Sequence, residues 1–335
     1  MPPERPPSIS DVAKLAGVSR QTVSRVVNRH PSVLDDTRSR VKAAIGQLNY
    51  RPNSAARALV TGRSKTLGIV ALGTGHYGPA STLLGIEAAA RERGYFVSVA
   101  VVHELDRKSV REAIERLTSQ AVDALAVIAP YISAHEVLSS LPTSVPVVMV
   151  EGDVAGDRPV AAVDQALGAR LATEHLLAQG RGTVFHVCGP DNWVDAKERT
   201  QGWSDALRAA SAVQNPPIVG DWTARSGYSA GQLLAQIPDA RAIFVANDNM
   251  ALGVLRALHE RNRHVPDDVA VVGFDDTPEA AYFIPPLTTV RQDFKRLGHA
   301  TVELLMAQLA GEDISQQMLV TPTLVVRQSS ALPPG

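Results

Sequence analysis

The chain has one cysteine in 335 residues, so no intrachain disulfide can form. Cys188 sits in an apolar run and reads as a small buried residue rather than a reactive thiol. No hydrophobic stretch approaches the roughly 18 residues that a bilayer-spanning helix needs. The opening MPPERPPS is a Pro-rich polar tail rather than a signal peptide, so a cytoplasmic protein with no membrane partner is expected. There is no P-loop, and no histidine stands at a metal-ligand spacing: His259 and His264 fall in a charged helix end and the loop beyond it. Neither a metal nor a cofactor is expected. Net charge is also nearly absent, at −1, but its distribution is uneven. Residues 1–63 hold 11 Lys+Arg against 4 Asp+Glu, a net of +7, which leaves −8 for the remainder. Such segregation suits a phosphate-facing module carried on an ordinary soluble body.

What is present in that basic segment is a helix-turn-helix pattern, DVAKLAGVSRQTVSRVVN, over residues 11–28. Ser8 followed by Asp11 forms a capping box, so a helix should begin near Ile9, with Val12, Leu15 and Ala16 as its apolar stripe. Gly17 can take the positive φ that ends it, and Ser19 can cap a second helix whose buried face is Thr22, Val23, Val26 and Val27. The outer face then carries Arg20, Gln21, Ser24 and Arg25, side chains whose forked donors and amides match base edges in a major groove. A third helix is expected from about Asp36 to Leu48, after which Arg51-Pro52 breaks the pattern and Asn53 can cap a short segment, SAARALV. One such module makes few base contacts, so two copies on a homodimer should read a palindrome in double-stranded operator DNA.

The rest alternates apolar runs with helical stretches. The runs are LGIVAL (67–72), YFVSVAVV (95–102), ALAVIA (124–129), VPVVMV (145–150), TVFHVCG (183–189), AIFVA (242–246) and VAVVGF (269–274). Strands without polar alternation are covered on both faces, which predicts parallel α/β sheets layered with helices. Two motifs compete with this plain reading. Gly73-Thr74-Gly75-His76-Tyr77-Gly78 is a GxGxxG between a strand and a helix, the setting of a dinucleotide fingerprint, so a nicotinamide-nucleotide-sensing redox repressor is the alternative function. Against it, the acid expected about 20 residues on is missing, Glu104 coming too late. Gly227-Tyr228-Ser229-Ala230-Gly231 is a GxSxG, but it follows a polar segment and lies in a helix start, so an enzyme is not expected.

The string 11–28, together with LNYRPNSAARAL, VANDNMALG, VVGFDDT, GDWTARSGY and IPPLTTVRQDF, resembles the lactose repressor (LacI) family of bacterial transcription regulators, from about Ser8 to Arg327. The resemblance implies a disordered tail (1–7), a helix-turn-helix domain (8–52), a hinge helix and linker (53–63), and an effector-binding and dimerisation body (64–330). It implies that the body is of periplasmic-binding-protein type, with one lobe near 65–163 and 292–321 and the other near 164–291 and 322–330. By this likeness Arg20, Gln21 and Arg25 read bases; Ser19, Thr22, Ser24, Asn28 and Asn53 meet phosphates or groove edges; Ala56 packs in the minor groove and Leu59 wedges into it. Arg20 stands where a family member has tyrosine. The implied effector is a sugar, possible galactosides included, met by Arg199, Asn247, Asp275 and Gln292, with Trp222 and Phe294 as apolar walls, and with Pro79, His76 and Glu151 on the opposite side. Glu151 replaces an Asp, His76 a Leu and Ile128 an Asn of that relative. No leucine heptads follow the last strand, so a dimer rather than a tetramer is expected.

Overall fold

The computed structural model describes residues 7–27, 30–51, 62–72, 74–103, 106–134, 137, 144–151, 158–312 and 317–331. Asn28, Asn53, Ala56, Leu59 and the proposed hinge segment lie outside them. The chain divides into two compact units, Met1–Ser64 and Lys65–Gly335.

In the first unit, α1 (Ile9–Ala16) opens on a reciprocal cap: the Ser8 Oγ accepts from the Asp11 N–H at 3.4 Å, and the Asp11 carboxylate accepts from the Ser8 N–H at 2.8 Å. Gly17 closes it at φ 66°, a conformation that costs glycine nothing. The Ser19 Oγ accepts from the Thr22 N–H at 3.1 Å and so starts α2 (Arg20–Val27), and α3 (Asp35–Gln47) completes a bundle around Val12, Ala13, Ala16, Val23, Val26, Val41 and Ala44. The expected stripe of α1 needs correction, because Leu15 is 46% exposed. Ala13 takes its place: the small side chains at 13 and 16 let α1 approach its neighbours along Val12-Ala13-Ala16, which turns position 15 off the contact line. Thr22 and Val27, expected inside, are half-buried.

The second unit holds two six-stranded sheets. The first comprises β1 (Thr66–Leu72), β2 (Phe96–Val102), β3 (Ala124–Ile128), β4 (Val147–Val150), β5 (Val160–Val163) and β11 (Gln317–Val320), in the order β11-β5-β4-β3-β1-β2 and parallel throughout. The second comprises β6 (Phe185–Cys188), β7 (Ile218–Val219), β8 (Ala242–Val245), β9 (Ala270–Asp275), β10 (Thr288–Arg291) and β12 (Thr323–Val325), in the order β12-β10-β9-β8-β6-β7, with only β12 antiparallel. The chain changes sheet after β5, after β10 and after β11, so each lobe contains segments distant in sequence.

Strand period sorts the core. In β1, Leu67, Ile69 and Ala71 face a cluster with α4 (Tyr77–Glu92) and α10 (Phe294–Leu309), while Val70 and Leu72 face α5 (Arg107–Ser119). In the second lobe α8 (Ala224–Leu234) and α9 (Asp248–Glu260) cover one face, and α6 (Gln165–Leu177) and α7 (Val194–Ala209) the other. The expectation that every strand is covered on both faces fails at β2. It is an edge strand; α5 packs on Ala100 and Val102, but Phe96, Val99 and Val101 are 71%, 42% and 47% exposed. Among the described residues, no helix is long and apolar enough to cross a membrane.

Candidate functional site

A narrow cavity enclosing about 20 Å³ lies between the two lobes, at the C-terminal ends of strands in both sheets, where open α/β sheets place their ligands. Its lining brings together His76 and Pro79 from the start of α4 with Arg199, Trp222, Asn247 and Asp275, all six expected from the sequence. Tyr77, Trp193 and Asp195 line it as well and were missed. The other three expected residues stand behind the lining. Gln292 bonds Asp275, Phe294 packs edge-on against Tyr77 with ring centroids 5.8 Å apart, and Glu151 is 2% exposed beneath Thr82. Ile128, the expected position of an altered hydroxyl contact, is fully buried in the core of the first lobe instead. A larger hollow of about 330 Å³ opens beside Lys197, Gln201 and Gln214, but it gathers no buried charge, and the interlobe cavity is where buried ionisable groups converge.

Arg199 organises the wall of the second lobe. Four residues after Asp195 on α7, it is 3% exposed, and its guanidinium lies 3.8 Å over the Phe274 ring. Its Nε donates to Gln165 Oε1 at 2.9 Å; Gln165 Nε2 donates to Gln292 Oε1 at 2.9 Å; Gln292 Nε2 donates to Asp275 Oδ1 at 2.7 Å. The ring closes through Arg199 Nη1 and Asp275 Oδ1 at 3.7 Å. Gln165 follows the chain's first change of sheet and Gln292 its second, so two lobe connections meet in one hydrogen-bonded circuit. Gln165 was missed because no local pattern marks a glutamine whose partner is 127 residues away.

Asn247 caps α9, its Oδ1 accepting from the Met250 N–H at 2.9 Å, while its Nδ2 donates to the Trp222 carbonyl at 3.1 Å. One amide therefore pins both a helix start and the aromatic wall. Glu151, Trp222 and Asp275 adopt φ of 54°, 71° and 113°, values that side chains other than glycine rarely take. Three such residues around one cavity place strain where side chains must be aimed. Across the cleft His76 meets Trp193 edge-on at 5.1 Å, and Trp193 contacts both Tyr131 and Trp222. Backbone bonds from Ile132 N to Asn192 O (3.1 Å) and from Val194 N to Pro130 O (2.8 Å) join the lobes at this latch.

Burial dominates the electrostatics. It holds Asp195 and Glu151 well above the ordinary carboxylate range, against the opposing pull of Arg199. It pushes Asp275 up to about 7 and Asp248, beside the cavity on α9, up to about 8. His76 is kept below its usual value by burial and is neutral at pH 7.

The two competing motifs acquire other roles. Gly75 and Gly78 flank a His76 whose ring is held against Trp193, and Gly73 lies outside the described residues. Gly227 and Gly231 are helix-packing positions: a Cβ on Gly227 would lie 2.0 Å from the Met250 carbonyl oxygen, and one on Gly231 2.7 Å from the Ala257 Cβ, so this pair lets α8 close on α9. Ser229 is an exposed residue of α8 whose hydroxyl donates to the Arg225 carbonyl. Cys188 is buried, with its thiol pushed up to about 11 by desolvation, as expected of an inert residue.

Ser19 before α2 and Arg20, Gln21 and Arg25 on it are exposed, and Thr22 and Ser24 are half-exposed, on the side away from Val23 and Val26. Thr22 Oγ1 shares a hydrogen bond with Ser19 Oγ at 2.9 Å. A polar helix displayed by a three-helix unit, together with a body whose interlobe cavity converges buried polar groups, is the make-up of a ligand-controlled DNA-binding protein.

Similarity to known proteins agrees. Residues 8–53 match the family model for bacterial regulatory proteins of the lacI family, and residues 173–330 match that for a periplasmic binding protein-like domain. The chain is 34% identical to the lactose operon repressor of Escherichia coli (strain K12) over 98% of this chain and 92% of that protein. It superposes with a TM-score of 0.88 on the lac repressor dimer bound to operator and the anti-inducer ONPF (32% identity; 98% of this chain, 100% of that one). It superposes with 0.71 on the transcriptional regulator CelR in its cellobiose complex (31% identity; 97% and 100%). The chain belongs to the lacI family of bacterial regulatory proteins.

Proposed function

We propose that this regulator is a sequence-specific transcriptional repressor that grips a palindromic operator as a homodimer and is released when a sugar enters the interlobe cavity. The carrying observation is the cavity itself: Arg199, Asn247 and Asp275 present forked donors and acceptors beside the indoles of Trp193 and Trp222, the combination that meets paired hydroxyls and the C–H face of a pyranose. The dimer bound to operator and the cellobiose complex among the relatives support the same reading. The protein acts by binding in the cytoplasm, without catalysis.

On the DNA side, Arg20, Gln21 and Arg25 read base edges, and Ser19, Thr22, Ser24, Asn28 and Asn53 position the module on phosphates and groove edges. Ala56 and Leu59 serve the minor groove, where a wedged leucine offsets unstacking with added contact. Sugar binding favours one lobe arrangement. Moving a two-state balance from 1:99 to 99:1 requires about 10⁴-fold preference for one state, or roughly 100-fold at each of two sites. The circuit Arg199-Gln165-Gln292-Asp275 is the element through which such a preference reaches the lobe connections.

The test is operator binding by fluorescence anisotropy with a sugar panel and with NADH. Release by a sugar supports the reading; release by NADH alone replaces it with the redox alternative; retention under every addition refutes effector control by either class. Leu59→Ser should weaken operator binding far more than binding to unrelated DNA, and equal weakening removes the wedge role.

A further inference from the structure

In and behind the cavity lining three buried carboxyl groups gather beside the Arg199 guanidinium, and burial holds each above the ordinary carboxylate range. Glu151, Asp195 and Asp275 are 2%, 7% and 6% exposed, and the cationic side chain among them is Arg199. That guanidinium is already bonded to Gln165 and to the Ala246 carbonyl, and it stands 3.9 Å from the Asp195 carboxylate and 3.7 Å from Asp275, outside hydrogen-bond distance of both. Glu151 is the least provided for. Its Oε1 receives a long 3.4 Å contact from the Thr82 hydroxyl, and among the described residues its Oε2 has no hydrogen-bond partner. The side chains whose charges act on it are Asp195, Arg199 and Asp275, all three on the cavity lining. A second orphan lies across the cavity: the Trp222 indole N–H, in a residue 5% exposed, also lacks a partner among the described residues.

A buried carboxylate oxygen and a buried N–H without partners are costly unless a ligand completes them. The carboxylate calls for a donor, preferably cationic, and the indole for an acceptor. Hydroxyls alone would satisfy the hydrogen bonds, whereas a cation would also supply the counter-charge that lets carboxyl groups held protonated by burial ionise. We propose that the effector is an amino sugar, whose ammonium meets Asp195 on the cavity lining and draws on Glu151 behind it, while a ring or hydroxyl oxygen accepts from Trp222 Nε1. The proposal rests on the sugar reading of the cavity and narrows it. Asp195 and Glu151 then act as specificity residues: each adds attraction for a cation and a desolvation cost for a neutral group.

The experiment is calorimetric titration, with thermal shift as a second readout, of the full chain against D-galactosamine and D-glucosamine, their neutral parents galactose and glucose, and the N-acetyl derivatives, which keep the shape but lose the charge. Free amino sugars should bind at least tenfold tighter than parent or N-acetyl form. Glu151→Gln and Asp195→Asn, both near-isosteric, should each erase most of that preference while unfolding cooperatively. Binding of a neutral parent as tight as that of its amino counterpart, or a preference unchanged in both variants, overturns the proposal and leaves the sugar reading standing. Failure of every sugar in the panel to bind overturns both.

Discussion

The two walls of the cavity are built differently. On the second lobe, Arg199 and Asp275 are tied through Gln165 and Gln292 into a closed circuit, and Asn247 is held by a helix cap and the Trp222 carbonyl. On the first lobe, Glu151 has one long contact, and His76 rests on an aromatic edge. A wall whose groups are mutually bonded is preorganised and serves as a fixed platform. A wall with open valences adapts to, and selects among, the hydroxyl or amino groups that reach it. Affinity should therefore depend most on the bonded circuit of the second lobe, and discrimination on Glu151 of the first together with Asp195, which stands outside that circuit.

The largest expected effect is Arg199→Ala. It removes the guanidinium beside Asp195 and Asp275 and opens the bonded circuit at Gln165, so effector affinity should fall about 100-fold, or roughly 3 kcal/mol, while operator binding survives. Loss of both in anisotropy assays would make Arg199 a folding residue and erase the contrast between the walls. Next come paired glycine substitutions. A Cβ at Gly202 would lie 2.1 Å from the Ala166 carbonyl oxygen, and one at Gly85 2.2 Å from that of Phe294. Both changes should lower stability by about 1–3 kcal/mol in denaturant titrations. Gly202→Ala, which pushes on the helix carrying Gln165, should also weaken effector binding the more of the two. Gln165→Ala opens the circuit without removing charge and should weaken binding about tenfold, in line with about 1–3 kcal/mol for an orphaned buried group.

A smaller effect is in pH. Burial raises the carboxyls of Glu151, Asp195, Asp248 and Asp275 above their unfolded values, so the folded state holds more protons than the unfolded one across the interval. Stability of the ligand-free protein should thus fall as pH rises from about 4 toward 8, and Asp195→Asn should flatten part of that slope in thermal melts. A rising slope would mean the second lobe's carboxylates are stabilised as anions. Ser229→Ala should change neither the melting temperature nor effector binding, since its exposed hydroxyl donates to the backbone of its own helix.

Six of nine effector residues that the family resemblance implied reach the cavity surface, and that resemblance was carried by short motifs such as VANDNMALG and VVGFDDT. Asp195 had a readable sign, an acid one helical turn before Arg199 on α7. Gln165 had none. Leu15 and β2 departed from expectation for a common reason: apolar character in a sequence does not say whether a neighbouring element covers it.

Local chemistry by itself determined the capped helix-turn-helix, the α/β alternation of the body and the family to which the chain belongs, since caps, turns and strand periods act over a few residues. Tertiary structure alone decided that Gln165 meets Gln292, that Gly227 packs on Met250, and that Glu151 ends with an oxygen unpartnered among the described residues, near three other buried ionisable groups. Those outcomes require segments from two lobes to close on one another, and the energy of a buried charge depends on what has closed around it.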